Sequence, residues 1–181
     1  MRSMTLIKPS PPSKENEVKE RPILFSTPMV RALLEGRKTQ TRRVIKPIHF
    51  KGEGAHVNNC PFGKTGDILW VRETLEKANG EAVGYPADGT WFPNTPWRWK
   101  RDTLPSIFMP RAFCRLRLEI TGVRVERLRD ISCDDAVSEG WPGTESAEAP
   151  QRWFRSLWWK INGEESWAAN PFVWVVEFKK C

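Results

Sequence analysis

The chain has 181 residues, of which 39% are apolar and 28% are charged, and these are the proportions of a globular protein. One domain of ordinary size accommodates this length, whereas two full domains would each be small. No segment approaches the roughly 18 to 20 consecutive apolar residues that would span a bilayer, so we expect no membrane partner.

The balance of charge favours a polyanionic partner. Lysine and arginine number 29 against 22 acidic residues, a net charge of +7, and phosphate contacts release counterions from a nucleic acid. Ten tryptophans add flat faces suited to core packing or to base stacking. We therefore expect a nucleotide or a nucleic acid as the partner.

Cysteine and histidine positions argue against a metal centre. Cys60, Cys114, Cys133 and Cys181 show no CxxC spacing, which is typical of reduced thiols. His49 and His56, even with Cys60, lack the paired spacing of a closed zinc site. The first twenty residues also lack the continuous apolar segment of a signal peptide. We expect a cytoplasmic protein that uses neither a metal nor another cofactor.

The N-terminal elements follow from local composition. Residues 1–20 are rich in proline, serine and charge, which predicts a flexible tail, and leaves one domain over residues 21–181. Pro22–Ser26 has the character of a short strand. Thr27 is the expected N-cap of a two-turn helix with Pro28 at its first position, and Gly36 ends it.

The middle of the chain alternates between strands and loops. The segment from Gly36 to Pro47 predicts a strand or a strand-like turn, closed by proline. Residues 49–66 read as a loop, and Asp67–Glu73 alternates as a strand does. Residues 79–110 are crowded with glycine, proline, asparagine and tryptophan, which predicts a long irregular excursion.

The C-terminal third carries the clearest patterns. Alternating apolar residues predict a strand over Arg115–Leu128, with a bulge at Gly122. A capping box of Ser132 and Asp135 begins a helix that ends at Gly140. A second helix is expected over Gln151–Ile161, and a closing strand, apolar on both faces, over Asn170–Lys179. Strands separated by short, unequal helices favour an α+β sheet or small barrel over a regular βαβ array.

The segment Gly36–Arg43, GRKTQTRR, is the candidate functional centre. No GxSxG, HExxH, Walker or GxGxxG motif occurs, so the common hydrolase, kinase and dinucleotide-binding functions lack support. The segment instead places cationic forks beside hydroxyl groups, which is typical of phosphate binding. These cations are Arg37, Lys38, Arg42 and Arg43, and the hydroxyls belong to Thr39 and Thr41.

Four separated blocks resemble the ASCH family of the PUA-like superfamily and, more closely, the ASCH proteins of phages and prophages. The blocks are LLEGRKTQTRRVIKP, TGDILWVRET, LEITGVRVERLRDISCDDAVSEGW and WVVEFKK. The resemblance covers about residues 21–180. It implies an α+β fold, a small mixed β-barrel with peripheral short helices, and a cleft beside the barrel that binds RNA or modified bases.

The resemblance also implies an activity. Some small bacterial ASCH members are amidohydrolases that remove the acetyl group of N4-acetylcytidine with a lysine, a threonine and a glutamate. Their pattern G-[RK]-K-T-x-T-x-R matches residues 36–43, which places the lysine at Lys38 and the threonine at Thr41. The glutamate, late in the helix after the long strand, falls on Glu139.

The chemistry of these three residue types is coherent. Amide hydrolysis needs a nucleophile, a base and an acid for the leaving amine. Thr41 would attack the acetyl carbonyl, Lys38 with a lowered pKa would take its proton, and Glu139 would orient the lysine or protonate the leaving nitrogen. Residues three apart in a straight strand point to opposite faces, so Lys38 and Thr41 converge only at a turn or bulge.

Three functions stay open from the sequence. The first is a metal-independent hydrolase of an acylated cytidine or related nucleoside, the second a non-catalytic module that binds RNA in the same cleft, and the third a nuclease. In the second, Lys38 is one cation of a phosphate-binding face and Glu139 a solvated helix-end side chain. The residues expected to bind substrate or nucleic acid are Arg37, Arg42, Arg43, Arg72, Arg111, Trp97 and Trp99, with core or loop packing as the alternative for the two tryptophans. Four tryptophans in regular elements are expected in the core: Trp70, Trp153, Trp158 and Trp174.

Overall fold

The structure, a computed structural model, describes residues 17–46, 59–78, 81–143 and 149–181. The expected N-terminal tail lies outside these residues except for positions 17–20, and so do both histidines and most of the expected loop at 49–66. All four cysteines carry free thiols. No helix in the described ranges is long and apolar enough to cross a membrane.

The described part of the chain contains two sheets and four α-helices, which confirms the expected α+β class. The strands are β1 (Glu20–Leu24), β2 (Gln40–Val44), β3 (Ile68–Arg72), β4 (Leu75–Ala78), β5 (Ala82–Tyr85), β6 (Thr90–Pro96), β7 (Thr103–Leu104), β8 (Arg117–Arg127) and β9 (Phe172–Lys180). The helices are α1 (Thr27–Leu34), α2 (Cys133–Ser138), α3 (Pro150–Asn162) and α4 (Glu165–Ala168).

The main sheet has the strand order β1-β3-β8-β9-β2. It is mixed, because β1 runs parallel to β3 while the other neighbours are antiparallel. The second sheet, β6-β5-β4-β7, is antiparallel throughout. The expected bulge at Gly122 is confirmed, since the β8–β9 register shifts between Ile120 and Gly122.

Strand β9 separates two hydrophobic cores. Trp174, Val176 and Phe178 pack into the core that also receives α1, whereas Val173 and Val175 pack with α2 and α3. Alternate side chains of a strand point to opposite faces, so a strand apolar at successive positions must be covered on both sides. The expectation that the closing strand is buried on both faces is confirmed.

The helix ends differ from their expected positions by one residue or none. Ser26, which has extended backbone angles, is the N-cap of α1, and Thr27 is already helical; the expected cap at Thr27 is wrong. Gly36 follows the helix with a φ of +76°, a conformation that glycine adopts without a steric cost. The capping box of α2 is confirmed by the reciprocal bonds of Ser132 and Asp135.

The expected irregular excursion at 79–110 is wrong. The described part of this segment forms β5, β6 and β7, which join β4 in the second sheet. Two of its turn-type residues have a positive φ: Gly89 in the turn between β5 and β6, and Asn94 within the irregular strand β6. Leu75, Val83 and Leu104 form part of a third core under this sheet. Short hairpin strands give little periodicity, so the turn signals dominate the pattern.

Candidate active site

A cavity of about 390 Å³ lies where β1, α1, β2 and α3 meet, and we call it the central pocket. Its polar lining comes chiefly from the GRKTQTRR segment and from the residue after α2. Its walls are largely apolar. The pocket is lined by Leu24, Phe25, Ser26, Met29, Lys38, Thr41, Arg42, Arg43, Val44, Lys46, Phe62, Glu139, Phe154, Leu157, Trp158, Ile161 and Asn162.

Lys38 lies ahead of β2 rather than inside it. Its backbone forms an isolated antiparallel bridge with Glu139, and its amide donates to Ala32 O at 3.1 Å. The regular strand begins at Gln40. The geometric condition for convergence is therefore met, because the chain is irregular between Lys38 and Thr41 and both residues line the central pocket.

The Lys38 ammonium is buried, with 2% of its side chain exposed, and is fully bonded. Its Nζ donates to Glu139 Oε2 at 2.8 Å, to Glu139 O at 2.9 Å and to Gln40 O at 2.8 Å. Burial lowers the pKa of Lys38, the neighbouring arginines act in the same direction, and the Glu139 charge opposes them without reversing the shift. Loss of hydration thus favours the neutral amine here.

Glu139 reaches this lysine because α2 ends beside it. Gly140, the next residue, has a φ of +105°. A Cβ at this position would lie 3.1 Å from Ala32 Cβ and 3.3 Å from Lys38 Cβ, so a larger residue would separate the two segments. Glycine is needed here both for its backbone angles and for the close approach.

Arg42 is enclosed by carboxylates. Its side chain is fully buried and forms ion pairs with Glu126, with Asp135 at 3.1 Å and with Glu139 at 3.2 Å. Arg124 also pairs with Glu126 and Asp135, which extends the network towards the surface. The donors of Arg42 are therefore directed to protein acceptors, so its expected function in binding nucleic acid gains no support from this geometry.

Asp135 holds a second contact to the GRKTQTRR segment. Gln40 Nε2 donates to Asp135 Oδ1 at 3.0 Å and to Asp135 O at 2.8 Å. Partial burial acts to raise the pKa of this carboxyl, but the hydrogen bonds of Gln40 and Ser132 and the charge of Arg42 prevail and lower it to about 2.

The contribution of Asp135 to stability is expected to depend on pH. Its folded-state pKa is below the ordinary value of 3.8, so the unfolded chain binds the proton more tightly and the contribution, complete above about pH 5, is lost as pH falls towards 2. Urea unfolding of wild type and Asp135→Asn at pH 6, 4 and 3 measures this. The difference in free energy of unfolding between them should shrink as pH falls, and a constant difference would contradict the assignment.

Arg43 and Thr41 present polar groups to the central pocket. Arg43 stacks 5.4 Å from the Phe25 ring centroid and donates to Leu24 O at 2.7 Å, while its buried Nε finds no partner among the described residues. Burial lowers the pKa of Arg43. The Thr41 side chain is buried in the pocket wall, and no hydrogen bond joins its hydroxyl to another described residue.

Three other residues expected to bind substrate, Arg37, Arg72 and Arg111, are not among those that line the central pocket. Arg37 pairs with Glu35 and donates to Gly140 O at 2.7 Å. Arg72 and Arg111 lie 5.5 and 5.2 Å from the Trp70 ring centroid. Trp70 is only half-buried and belongs to none of the three cores that the described residues form, so its expected place in the core is wrong.

Trp97 and Trp99 also lie away from the central pocket. They pack against each other at 4.7 Å between ring centroids, and Trp99 packs on Phe113. Both belong to the third core, under the second sheet. Packing in a core, and not base stacking in the central pocket, describes their contacts.

The sequence reasoning missed the wall formed by α3. Phe154, Leu157, Trp158 and Ile161 line the pocket, and their spacing of three and four residues is that of one helix face. This spacing predicts the helix and its apolar side. It contains no signal that part of this side faces a cavity instead of the core.

Comparison with known proteins yields one structural likeness. No protein-family model and no curated protein matches the chain. A crystal structure of an ASCH domain from Lactobacillus crispatus JV V101 matches 83% of this chain and 70% of that chain, with 19% sequence identity and a TM-score of 0.43. The family in that description is the one that the four sequence blocks resemble.

Proposed function

We propose that this protein is a metal-independent amidohydrolase that removes the acetyl group of N4-acetylcytidine or a related acylated nucleoside. One observation carries the proposal: a buried Lys38–Glu139 pair and a threonine hydroxyl, separated along the chain, line the same pocket. The family resemblance supplies the substrate class. The pocket supplies the residue types that acyl transfer to a threonine requires.

The reaction proceeds in two halves. The Thr41 hydroxyl oxygen bonds to the acetyl carbon while its proton passes to the neutral amine of Lys38; the carbon–N4 bond then breaks, and the departing nitrogen takes that proton. Water then gives a proton to the same amine while its oxygen bonds to the acetyl carbon of the threonine ester. The ester bond breaks, the Thr41 oxygen takes that proton back from Lys38, and acetate leaves with its own proton passing to solvent. Glu139 holds Lys38 Nζ at 2.8 Å and fixes its direction.

The dimensions and walls of the central pocket suit a nucleobase. Its volume of about 390 Å³ lies within the range of about 300 to 1,000 Å³ typical of small-molecule sites. Phe25, Phe154 and Trp158 offer aromatic surface, on which bases stack. The free Nε–H of Arg43 is a donor suited to the pyrimidine carbonyl.

A second candidate is a non-catalytic module that binds RNA or a modified base in this pocket. It is favoured by the three acceptors around Lys38 Nζ, because an ammonium has three donors and all are engaged within the protein. Such a lysine would act as the structural counter-ion of Glu139. In the amidohydrolase, by contrast, Lys38 loses a proton and releases one of these bonds.

Turnover of N4-acetylcytidine by the full chain, in the presence of a chelator, tests the proposal. We expect cytidine and acetate in equal amounts. Chromatography measures the cytidine, and an enzymatic assay measures the acetate. N4-methylcytidine is the matched control, since it has no amide and should remain intact. Binding of N4-acetylcytidine without acetate release would support the second candidate, and strand cleavage of an RNA substrate would support the nuclease alternative.

A further inference from the structure

A second cavity, of about 340 Å³, lies on the N-terminal half of α3. We call it the arginine pocket, because three of the residues that line it are Arg129, Arg152 and Arg155; the others are Ile131, Gln151 and Trp167. No acidic residue in the described part of the chain lines it. This composition differs from the central pocket, where every buried cation except Arg43 faces a carboxylate.

The three guanidinium groups are available for a ligand. None of them forms an ion pair with a described carboxylate, whereas Arg42 and Arg124 each contact two or more. Arg155 lies 4.2 Å from the Trp159 ring centroid, a stacking contact that leaves its donors free. Three arginines that line one pocket and pair with no described carboxylate form a site for a phosphate-bearing anion, since Arg binds phosphate through paired donors.

Helix α3 connects the two pockets. Its N-terminal turns line the arginine pocket, and the face from Phe154 to Ile161 lines the central pocket. Phe154 also packs on Trp167 at 6.3 Å between ring centroids, so one residue from each pocket is in contact. The two sets are offset along the helix by about six residues, or roughly 9 Å at the rise of an α-helix.

We infer that the arginine pocket binds backbone phosphates of an RNA strand whose modified base enters the central pocket. This inference rests on the proposed function for the base. It goes further by naming the substrate as a nucleotide within a strand, because a free nucleoside has no phosphate to place in the arginine pocket. The offset between the pockets suits phosphates that neighbour the recognised nucleotide.

The test compares two variants of equal charge. Arg152→Gln/Arg155→Gln removes two guanidinium groups of the arginine pocket, whereas Arg98→Gln/Arg101→Gln removes two exposed arginines beside the second sheet. Fluorescence anisotropy measures the affinity of the full chain for a single-stranded RNA oligonucleotide containing one N4-acetylcytidine, over a range of salt concentrations. Turnover of free N4-acetylcytidine is measured in parallel.

We expect Arg152→Gln/Arg155→Gln to bind the RNA about tenfold more weakly, with a salt slope reduced by about 1.4, or 0.7 for each lost phosphate contact. The matched control should change both quantities much less. Turnover of the free nucleoside should be the same in all three proteins. Equal weakening by both variants, no weakening by either variant, or no RNA binding by wild type would overturn the inference.

The two proposals fail separately in this experiment. Absence of acetate release from any substrate would remove the amidohydrolase, while the difference in RNA affinity between the variants would still support the arginine pocket. Turnover of the free nucleoside with unchanged RNA affinity in both variants would retain the enzyme and remove the arginine pocket.

Discussion

Thr41→Val is expected to lower kcat for N4-acetylcytidine by about 10³-fold or more, the scale of losing a nucleophile that works with its base as a unit. Valine keeps the branched shape of threonine and removes the hydroxyl, and β2 accommodates it because Thr41 is paired with Val176 of β9. The fold should therefore persist while the reaction stops. Steady-state acetate release measures the effect.

Two further variants make this result specific. Thr41→Ser retains a hydroxyl and should keep measurable turnover. Thr39→Val removes the same group from an exposed threonine two residues earlier and should leave kcat near that of wild type. Turnover of Thr41→Val close to that of wild type would remove Thr41 as nucleophile and would leave the binding function as the better account of the pocket.

Glu139→Leu is expected to reduce the free energy of unfolding by about 3 to 5 kcal/mol, the usual consequence of leaving a buried charge without its partner. It leaves Lys38, whose Nζ lies 2.8 Å from Glu139 Oε2, without its carboxylate, and it removes one of the three carboxylates around Arg42, at 3.2 Å. Lys38→Met should have a smaller effect because Glu139 retains Arg42. Urea denaturation measures both.

The double variant Lys38→Met/Glu139→Leu should be much more stable than the sum of the single losses predicts, because replacing both members of a buried pair removes the unpaired charge. The exposed pair Lys179–Glu119, at 3.1 Å, provides a matched control, and Glu119→Gln should change stability by no more than about 1 kcal/mol. Additive losses from the two buried substitutions would show that Lys38 and Glu139 are not coupled in this way.

Measurements of turnover and of unfolding together distinguish a structural from a catalytic function of the Lys38–Glu139 pair. A structural counter-ion pair predicts large effects on unfolding with no chemistry at Thr41. An amidohydrolase site predicts that Thr41→Val loses turnover while its stability remains close to that of wild type. Activity can thus be assigned to the hydroxyl independently of the ion pair that supports the pocket.

The sequence by itself determined the elements whose signals are local. Gly36 and Gly140 mark helix ends because their backbone angles are those that glycine adopts easily. Ser132 and Asp135 satisfy each other within one helical turn, and Gly122 marks a bulge in a strand that otherwise alternates. The family resemblance likewise selected Lys38, Thr41 and Glu139, although only as positions along the chain.

Only the tertiary structure decided what those positions contact. Lys38 and Glu139 are 101 residues apart in sequence, and their distance depends on how α2 docks beside β2. The motif contained equally cationic neighbours, yet docking enclosed Arg42 among carboxylates and left Arg43 in the pocket wall. Nothing in the sequence singles out Arg152 and Arg155, because they form a pocket only together with Arg129, which precedes α2 in the chain. Charge and residue type are read from the chain, whereas burial and pairing arise only when distant segments pack together.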